Sequence, residues 1–388
     1  MAHQSDPLPI NMLEILEHYA SLGVHRTGTD VDHATTAWLE GVLADMGARV
    51  SRHSYGFPMV QGAASLSASF NDIPLMPLYY AGSGVVETDK VHVAALSLED
   101  GHDPAGVDRD LAAIVAQALA VGADLAVVAT RCTNNSLCAI NRAPEEALDF
   151  PICLAPGHAF ERLKAGTPQV RFEVSITTGS SDNLVAELGE SDDPRPPLVI
   201  TTPTSGWFTC AGERGSGLAV ALSVAQTIAA DHPVLLVLTS GHELGYLGGR
   251  RFVEQFEREI AGVLHIGSCV ADKAAFDEQR GTFQPGALGA VSNLANMGFV
   301  GVEATLAPLG IALRRPERPL DPACWVGESE LWASRGTPML SLAGASPTFH
   351  TPEDTFECAA SAALLEAMAC QVLACASMVL AMPHKPEE

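Results

Sequence analysis

Val234-Leu-Leu-Val-Leu-Thr-Ser-Gly-His-Glu-Leu-Gly-Tyr-Leu-Gly-Gly249 sets an unbroken aliphatic run directly before a glycine-framed His242-Glu243 pair. Such a run predicts a strand buried on both faces. The polar pair that follows it has no packing purpose. Outward from this stretch the same alternation recurs. Residues 198–202 read as a strand, and 218–230 as a helix with Leu218, Leu222, Ala225 and Ile228 on one face. Residues 247–258 read as a helix, 263–266 and 339–343 as strands, and 359–382 as a closing helix. Strand–helix alternation predicts an α/β fold, a three-layer sandwich around a central, mostly parallel sheet. Ligands bind such sheets beyond the carboxyl ends of the strands. Residues 203–215, 240–245, 267–269 and 345–354 are therefore expected to converge.

Toward the N-terminus, 32–47 has helical periodicity, with Ala34, Trp38, Val42 and Met46 on one face, and a short strand begins at 48–50. From Gly62 the character changes to short strands at 65–70, 91–96, 125–129 and 152–154. Two helices accompany them, 110–121 closing on Gly122 and 159–164 closing on Gly166, and a turn cluster follows at 179–182. The division predicted for the 388 residues is a discontinuous catalytic domain, 1–60 with 177–388, and an inserted α/β domain, 61–176.

Lys and Arg number 22 against 46 Asp and Glu, a formal net charge of −24, which repels phosphate backbones and anionic lipids. Nucleic-acid and membrane partners are excluded on that ground, and a small-molecule substrate is expected, with homo-oligomerisation left open. A 47% hydrophobic content excludes a disordered chain. The nine cysteines include no C-x-x-C and no zinc-ribbon spacing, and residues 1–10 carry no export signal, so reduced thiols in the cytoplasm are expected. The apolar stretch 359–382 carries Glu366 and Gln371 and reads as a buried helix.

Four groups of residues bear chemistry. The His242-Glu243 pair competes with a plain reading as a solvated turn with a capping glutamate; it is not a zincin motif, because Tyr246 stands where H-E-x-x-H needs histidine. His350 lies in Phe349-His-Thr-Pro-Glu-Asp-Thr355, where a lone histidine is usually structural. Cys210-Ala-Gly-Glu-Arg-Gly-Ser-Gly217 opens a helix, with Glu213 and Arg214 either functional or an ordinary first-turn charge pair. Cys210 occupies a position that stabilises a thiolate, so a cysteine nucleophile with His242 or His350 as base is an alternative chemistry to an inert buried thiol. No G-x-S-x-G elbow is present.

In this order and spacing the motifs resemble the M28 family of metallopeptidases, over residues 24–376. His25-Arg-Thr-Gly-Thr29 and 38–50 look like that family's N-terminal helix and strand, 62–176 like its protease-associated (PA) insert, and Asp182-Asn-Leu-Val-Ala-Glu187 like the strand that follows it. Gly241-His-Glu-Leu-Gly-Tyr-Leu-Gly-Gly249 and Phe349–Thr355 look like the acidic motif and the final ligand motif. The resemblance implies two zinc ions, yet Thr202, Thr204 and Gly267 stand where ligands belong, and His242 stands at the general-base glutamate. Glu213, Glu243 and His350 remain, matching one site, and the family's glutaminyl-cyclase relatives are similar in binding a single zinc through such a set.

Three readings follow: a hydrolase with one zinc ion, a metal-free or repurposed enzyme using His242, Glu243, His350 and Cys210, and a binding protein on a peptidase scaffold. The vacated positions hold Thr, Ser and Gly rather than apolar side chains, which favours an enzyme. The substrate expected is a small amide bearing a carboxylate. Arg214 offers that carboxylate a bidentate fork, Thr204 and Ser205 offer hydroxyls, and Trp207, Phe208 and Trp325 offer stacking faces.

Overall fold

The computed structural model of the chain describes residues 10–98 and 104–381, so the 1–9 stretch weighed for an export signal lies outside it. Helices α1 (Met12–Leu22) and α2 (Asp30–Asp45) lead into a long strand, β1 (Arg49–Leu66). Then come β2 (Met76–Pro77), β3 (Gly84–Thr88), β4 (Val91–Ser97), α3 (Pro104–Ala120), β5 (Leu125–Arg131), β6 (Ile152–Pro156), α4 (Phe160–Ala165) and a second long strand, β7 (Val170–Leu188). The remainder begins with β8 (Leu198–Pro203), α5 (Ser216–Ile228), β9 (Val234–Thr239), α6 (Leu247–Glu254) and β10 (Gly262–Ile266). It ends with β11 (Phe276–Asp277), β12 (Thr282–Phe283), β13 (Leu288–Ser292), α7 (Asn296–Leu306), β14 (Ala312–Arg314), β15 (Met339–Gly344), α8 (Phe356–Ala359) and α9 (Ala362–Leu380).

The sheet order is β1-β7-β9-β8-β10-β15-β13-β14. Its centre is parallel, with Val199 opposite both Leu235 and Val263, and Leu264 opposite Leu340. Antiparallel strands flank it, β7 against β9 and β13 against β15. Every residue of β8, β9 and β10 is buried, and alternate side chains serve opposite layers. Leu198, Ile200 and Leu236 face one core with α1, α5 and α9. Val199, Leu235 and Val237 face another with Phe252 of α6, Trp325 and Trp332. Each such side chain contributes about 1.5–3 kcal/mol by leaving water. Helix α9, the described helix long and apolar enough to cross a bilayer, packs Leu365, Met368, Val372, Cys375 and Val379 into the first core.

Strand β5 lies in a separate sheet of order β2-β6-β5-β4. β1 and β7 pair along their whole lengths, from Arg49 opposite Glu187 to Leu66 opposite Val170. One antiparallel ribbon thus runs through the boundaries expected near 60 and 177. A cavity of about 500 Å³ lies between β4, α3 and the Phe160–Lys164 stretch, and no expected site residue lines it.

Several local expectations are corrected. Residues 49–50 and 65–66 belong to the single strand β1, and Ala68–Phe70 is a 3-10 turn. Residues 179–182 are strand within β7, opposite 54–57, because cross-strand pairing fixes a ribbon whose polar and glycine content resembles a turn. The buried face of α2 is Asp32, Thr35, Thr36, Leu39 and Leu43 rather than the face of Ala34 and Trp38. Asp32 and Thr35 can take that face because each finds a partner. Asp32 Oδ2 accepts from Gly28 N and Ser181 Oγ at 2.8 and 2.6 Å, and Thr35 Oγ1 meets His25 Nδ1 at 3.0 Å.

Candidate active site

The loops that leave β8, β9, β10 and β15 at their carboxyl ends meet in one place. Ser205 Oγ donates to Glu243 Oε2 (2.8 Å) and accepts from Gly241 N (2.9 Å) and His242 N (3.2 Å), tying the β8 loop to the β9 loop. Cys269 N donates to Glu213 O at 3.2 Å. Asp354 accepts from Gly212 N (2.7 Å) and Glu213 N (2.9 Å), fixing the turn that presents Glu213. The chain leaves β9 through Gly241 at φ +76, where a Cβ would stand 2.8 Å from Tyr55 Oη and 3.0 Å from Gly248 N. Only glycine fits that corner, which aims His242 and Glu243. Cys210 (φ 49) and His350 (φ 57) also adopt the left-handed region, a strain concentrated at this site.

His242 Nδ1 lies 2.8 Å from Glu328 Oε1. The carboxylate accepts, so Nδ1 carries the proton and Nε2 keeps its lone pair. Burial lowers the His242 pKa well below the usual 6.5, and the Arg214 and His350 charges add to the effect against Glu213. The imidazole is therefore neutral at neutral pH. Glu328 also accepts from Thr239 Oγ1 at 2.5 Å, and burial pushes its carboxyl up. Sequence reasoning missed Glu328. It sits in the 3-10 stretch Gly327–Arg335, distant along the chain and without periodicity or motif.

Glu213 and Arg214 are each 1% exposed, with Arg214 Nη2 at 2.6 Å from Glu213 Oε1 and His350 Nε2 at 3.1 Å from the same oxygen. Burial alone would raise the Glu213 carboxyl; Arg214, then His350, overcome it and hold it at about 2. Burial likewise works against the Arg214 charge, and Glu213 more than restores it. Arg214 Nε donates to Ser205 O at 3.0 Å, and His350 Nδ1 donates to Ala139 O at 3.2 Å.

Glu243 turns elsewhere. Its Oε1 accepts from Thr27 N at 2.7 Å while Oε2 holds Ser205, and Thr27 Oγ1 in turn accepts from Gly241 N at 3.0 Å. The expected zinc set of Glu213, Glu243 and His350 is not gathered. Among the described residues, no three His, Cys, Asp or Glu side chains form a group that could hold a metal ion. With a guanidinium on the one carboxylate oxygen that His350 shares, the residues present do not fit a zinc ion.

The expected substrate contacts also change. Arg214 sets Nη2 at 2.6 Å from Glu213 Oε1 and donates from Nε to Ser205 O, so its charge faces an internal carboxylate, although neither terminal nitrogen makes a hydrogen bond. Thr204 bonds Thr239 O through both N (2.7 Å) and Oγ1 (3.0 Å). Trp207 donates to Asn141 Oδ1 at 2.7 Å and stacks edge-on to Tyr79, and Phe208 packs between two cores. Trp325 is core, donating to Pro319 O at 2.9 Å. Thr204, Trp207, Phe208 and Trp325 are thus occupied by packing and internal hydrogen bonds.

Cys210 is a buried thiol donating to Phe208 O at 3.0 Å, and burial, with Glu213 and Asp354 nearby, raises its pKa well above 9.0. The left-handed turn places it among carboxylates, so the thiolate expected from its position before a helix does not form. Iodoacetamide at pH 8 should therefore modify exposed Cys358 and Cys370 in the folded protein while leaving Cys210 intact by peptide mass mapping. Rapid labelling of Cys210 would restore it as a nucleophile.

No family model and no curated protein sequence matches the chain. Solved structures do. A peptidase M28 precursor from Shewanella amazonensis is similar at TM-score 0.72 and 18% identity, covering 99% of this chain and 96% of that one. A zinc aminopeptidase from Bacillus subtilis is similar at TM-score 0.69 and 15% identity, over 96% and 95% of the two chains. An aminopeptidase from Aneurinibacillus sp. strain AM-1 is similar at TM-score 0.61 and 15% identity, over 97% and 94%. At these identities the likeness establishes the zinc-exopeptidase-like α/β fold.

Proposed function

We propose that the chain is a hydrolase of the M28 type that cleaves an amide bond of a small substrate, with His242 as general base and Glu328 positioning it. The observation that carries this reading is the 2.8 Å bond between a buried, neutral His242 and the Glu328 carboxylate, at the carboxyl ends of the central strands. The fold shared with aminopeptidases supports the bond type, and the separate sheet of β4, β5 and β6 supports an inserted domain at 61–176.

Nε2 of His242 takes a proton from water as the water oxygen bonds to the amide carbon. Glu328 stabilises the imidazolium that forms. When the C–N bond breaks, the same proton passes to the leaving nitrogen, and His242 returns to its neutral state. Because burial and Arg214 hold the His242 pKa down, the base stays competent below its ordinary range. Assayed on a panel of dipeptides and aminoacyl amides, kcat/KM should stay flat from pH 8 to 6.5 and lose its acid limb only below that value. An acid limb above 6.5 would remove His242 from the base role.

A second reading rests on enclosure. Glu213, Arg214, Glu243, His350 and Glu328 are all buried, which suits a scaffold that binds without turning over. Saturable binding of an amide from the panel, unhydrolysed by the wild-type protein, would favour it.

A further inference from the structure

We infer that Arg214 is a built-in cation standing where a divalent metal would otherwise sit, and that it excludes zinc from the Glu213–His350 centre. This goes beyond the hydrolase reading and holds whether or not the site turns over.

Three observations converge. First, Glu213 Oε1 is approached by Arg214 Nη2 at 2.6 Å and by His350 Nε2 at 3.1 Å, so one oxygen serves a guanidinium and an imidazole together. Zinc would need that oxygen and that nitrogen at roughly 2.0–2.2 Å, so it would compete with the guanidinium for the same carboxylate oxygen. Second, Arg214 cannot swing out to make room. It is 1% exposed, its Nε is fixed to Ser205 O at 3.0 Å, and its stem lies close against Gly206, where a Cβ would stand 3.7 Å from Arg214 Cγ. Third, Glu243, the other carboxylate of the expected zinc set, is withdrawn, because its two oxygens accept from Thr27 N and Ser205 Oγ. A fixed positive charge balances the Glu213 carboxylate, and a divalent ion would have to displace it.

Sequence supports the substitution. Arg214 follows Glu213 directly in Cys210-Ala-Gly-Glu-Arg-Gly-Ser-Gly217, so the chain supplies anion and cation from adjacent positions of one turn. Asp354 holds that turn through Gly212 N and Glu213 N, which keeps the pair registered.

The test is equilibrium dialysis of purified protein against zinc, with bound metal measured by elemental mass spectrometry. Wild type should retain no stoichiometric zinc, whereas Arg214→Ala should bind one equivalent roughly 100-fold more tightly than wild type. Adding His350→Ala to that variant should abolish the gain, which ties it to this centre. Arg214→Gln, which keeps most of the side-chain volume, replaces the alanine variant if that one does not fold. One equivalent of zinc on wild type, lost in Glu213→Gln, would overturn the inference. So would an Arg214→Ala or Arg214→Gln protein with unchanged zinc affinity. Neither readout uses turnover, so failure here is separable from failure of the hydrolase reading.

Discussion

Arg214→Met should destabilise the fold by ~3–5 kcal/mol, because it strands the Glu213 carboxylate in a buried site. Both partners are 1% exposed, so solvent does not screen the loss. The ion pair need not be worth that much itself: removing two charges out of water is costly, and their attraction returns only part of it. The asymmetry yields a sharper expectation. Glu213→Met alone should also be costly, since it strands the guanidinium, while the double substitution should recover much of the combined loss. Urea unfolding of wild type, both singles and the double measures the cycle. A single-variant cost below about 1 kcal/mol would mean that the pair behaves like an exposed one. The pH dependence has a definite sign. With the folded-state pKa of Glu213 at about 2 against an ordinary 4.5, its contribution is complete above 4.5 and is lost as pH falls toward 2. Asp32 opposes it. Burial raises its carboxyl from 3.8 to about 6, so the native state binds the extra proton between those values and this group's contribution declines as pH rises through 6.

The central sheet was legible because strands buried on both faces are dominated by apolar residues: 234–238 is apolar throughout, and 198–200, 263–266 and 339–343 are but for His265 and Ser341. The convergence of the four loops followed from topology alone. The ribbon of β1 and β7 was not legible, since cross-strand pairing tolerates Ser, Gly and Pro where one side faces solvent. Within the site, the sequence indicated which loops meet but not where their side chains point. Glu213 and Glu243 are both carboxylates in the right loops, yet one turns to Arg214 and the other to Thr27 N. The Glu213–Arg214 pairing was open from the sequence as a first-turn charge pair, whereas the turn of Glu243 to Thr27 N spans 216 positions of the chain, which no local pattern encodes. Glu328 was invisible for the same reason: its role depends on reaching His242 across 86 positions.

His242→Ala should lower turnover by ~10²–10⁴ with the fold retained, the usual effect of losing a general base. Glu328→Gln is the more informative change, because it removes a charge without removing volume. Thr239 Oγ1 donates to Oε2 at 2.5 Å, which favours the amide oxygen of the glutamine on that side. The amide nitrogen then faces His242 Nδ1 and donates to it, so the imidazole proton moves to Nε2. In that tautomer Nε2 has no lone pair for water, and the base is lost although the ring remains. The expected fall is again ~10²–10⁴, carried by kcat with little change in KM, as for other carboxylates that fix a catalytic histidine's tautomer. A merely structural Glu328 would give a different pattern: lower stability, a normal pH profile and near-normal kcat. The tautomer can be read directly from the ring-nitrogen chemical shifts of ¹⁵N-labelled histidine in wild type and Glu328→Gln. Should Nε2 carry the proton in wild type, or should Glu328→Gln leave both shifts and kcat unchanged, the assignment of the His242–Glu328 pair fails.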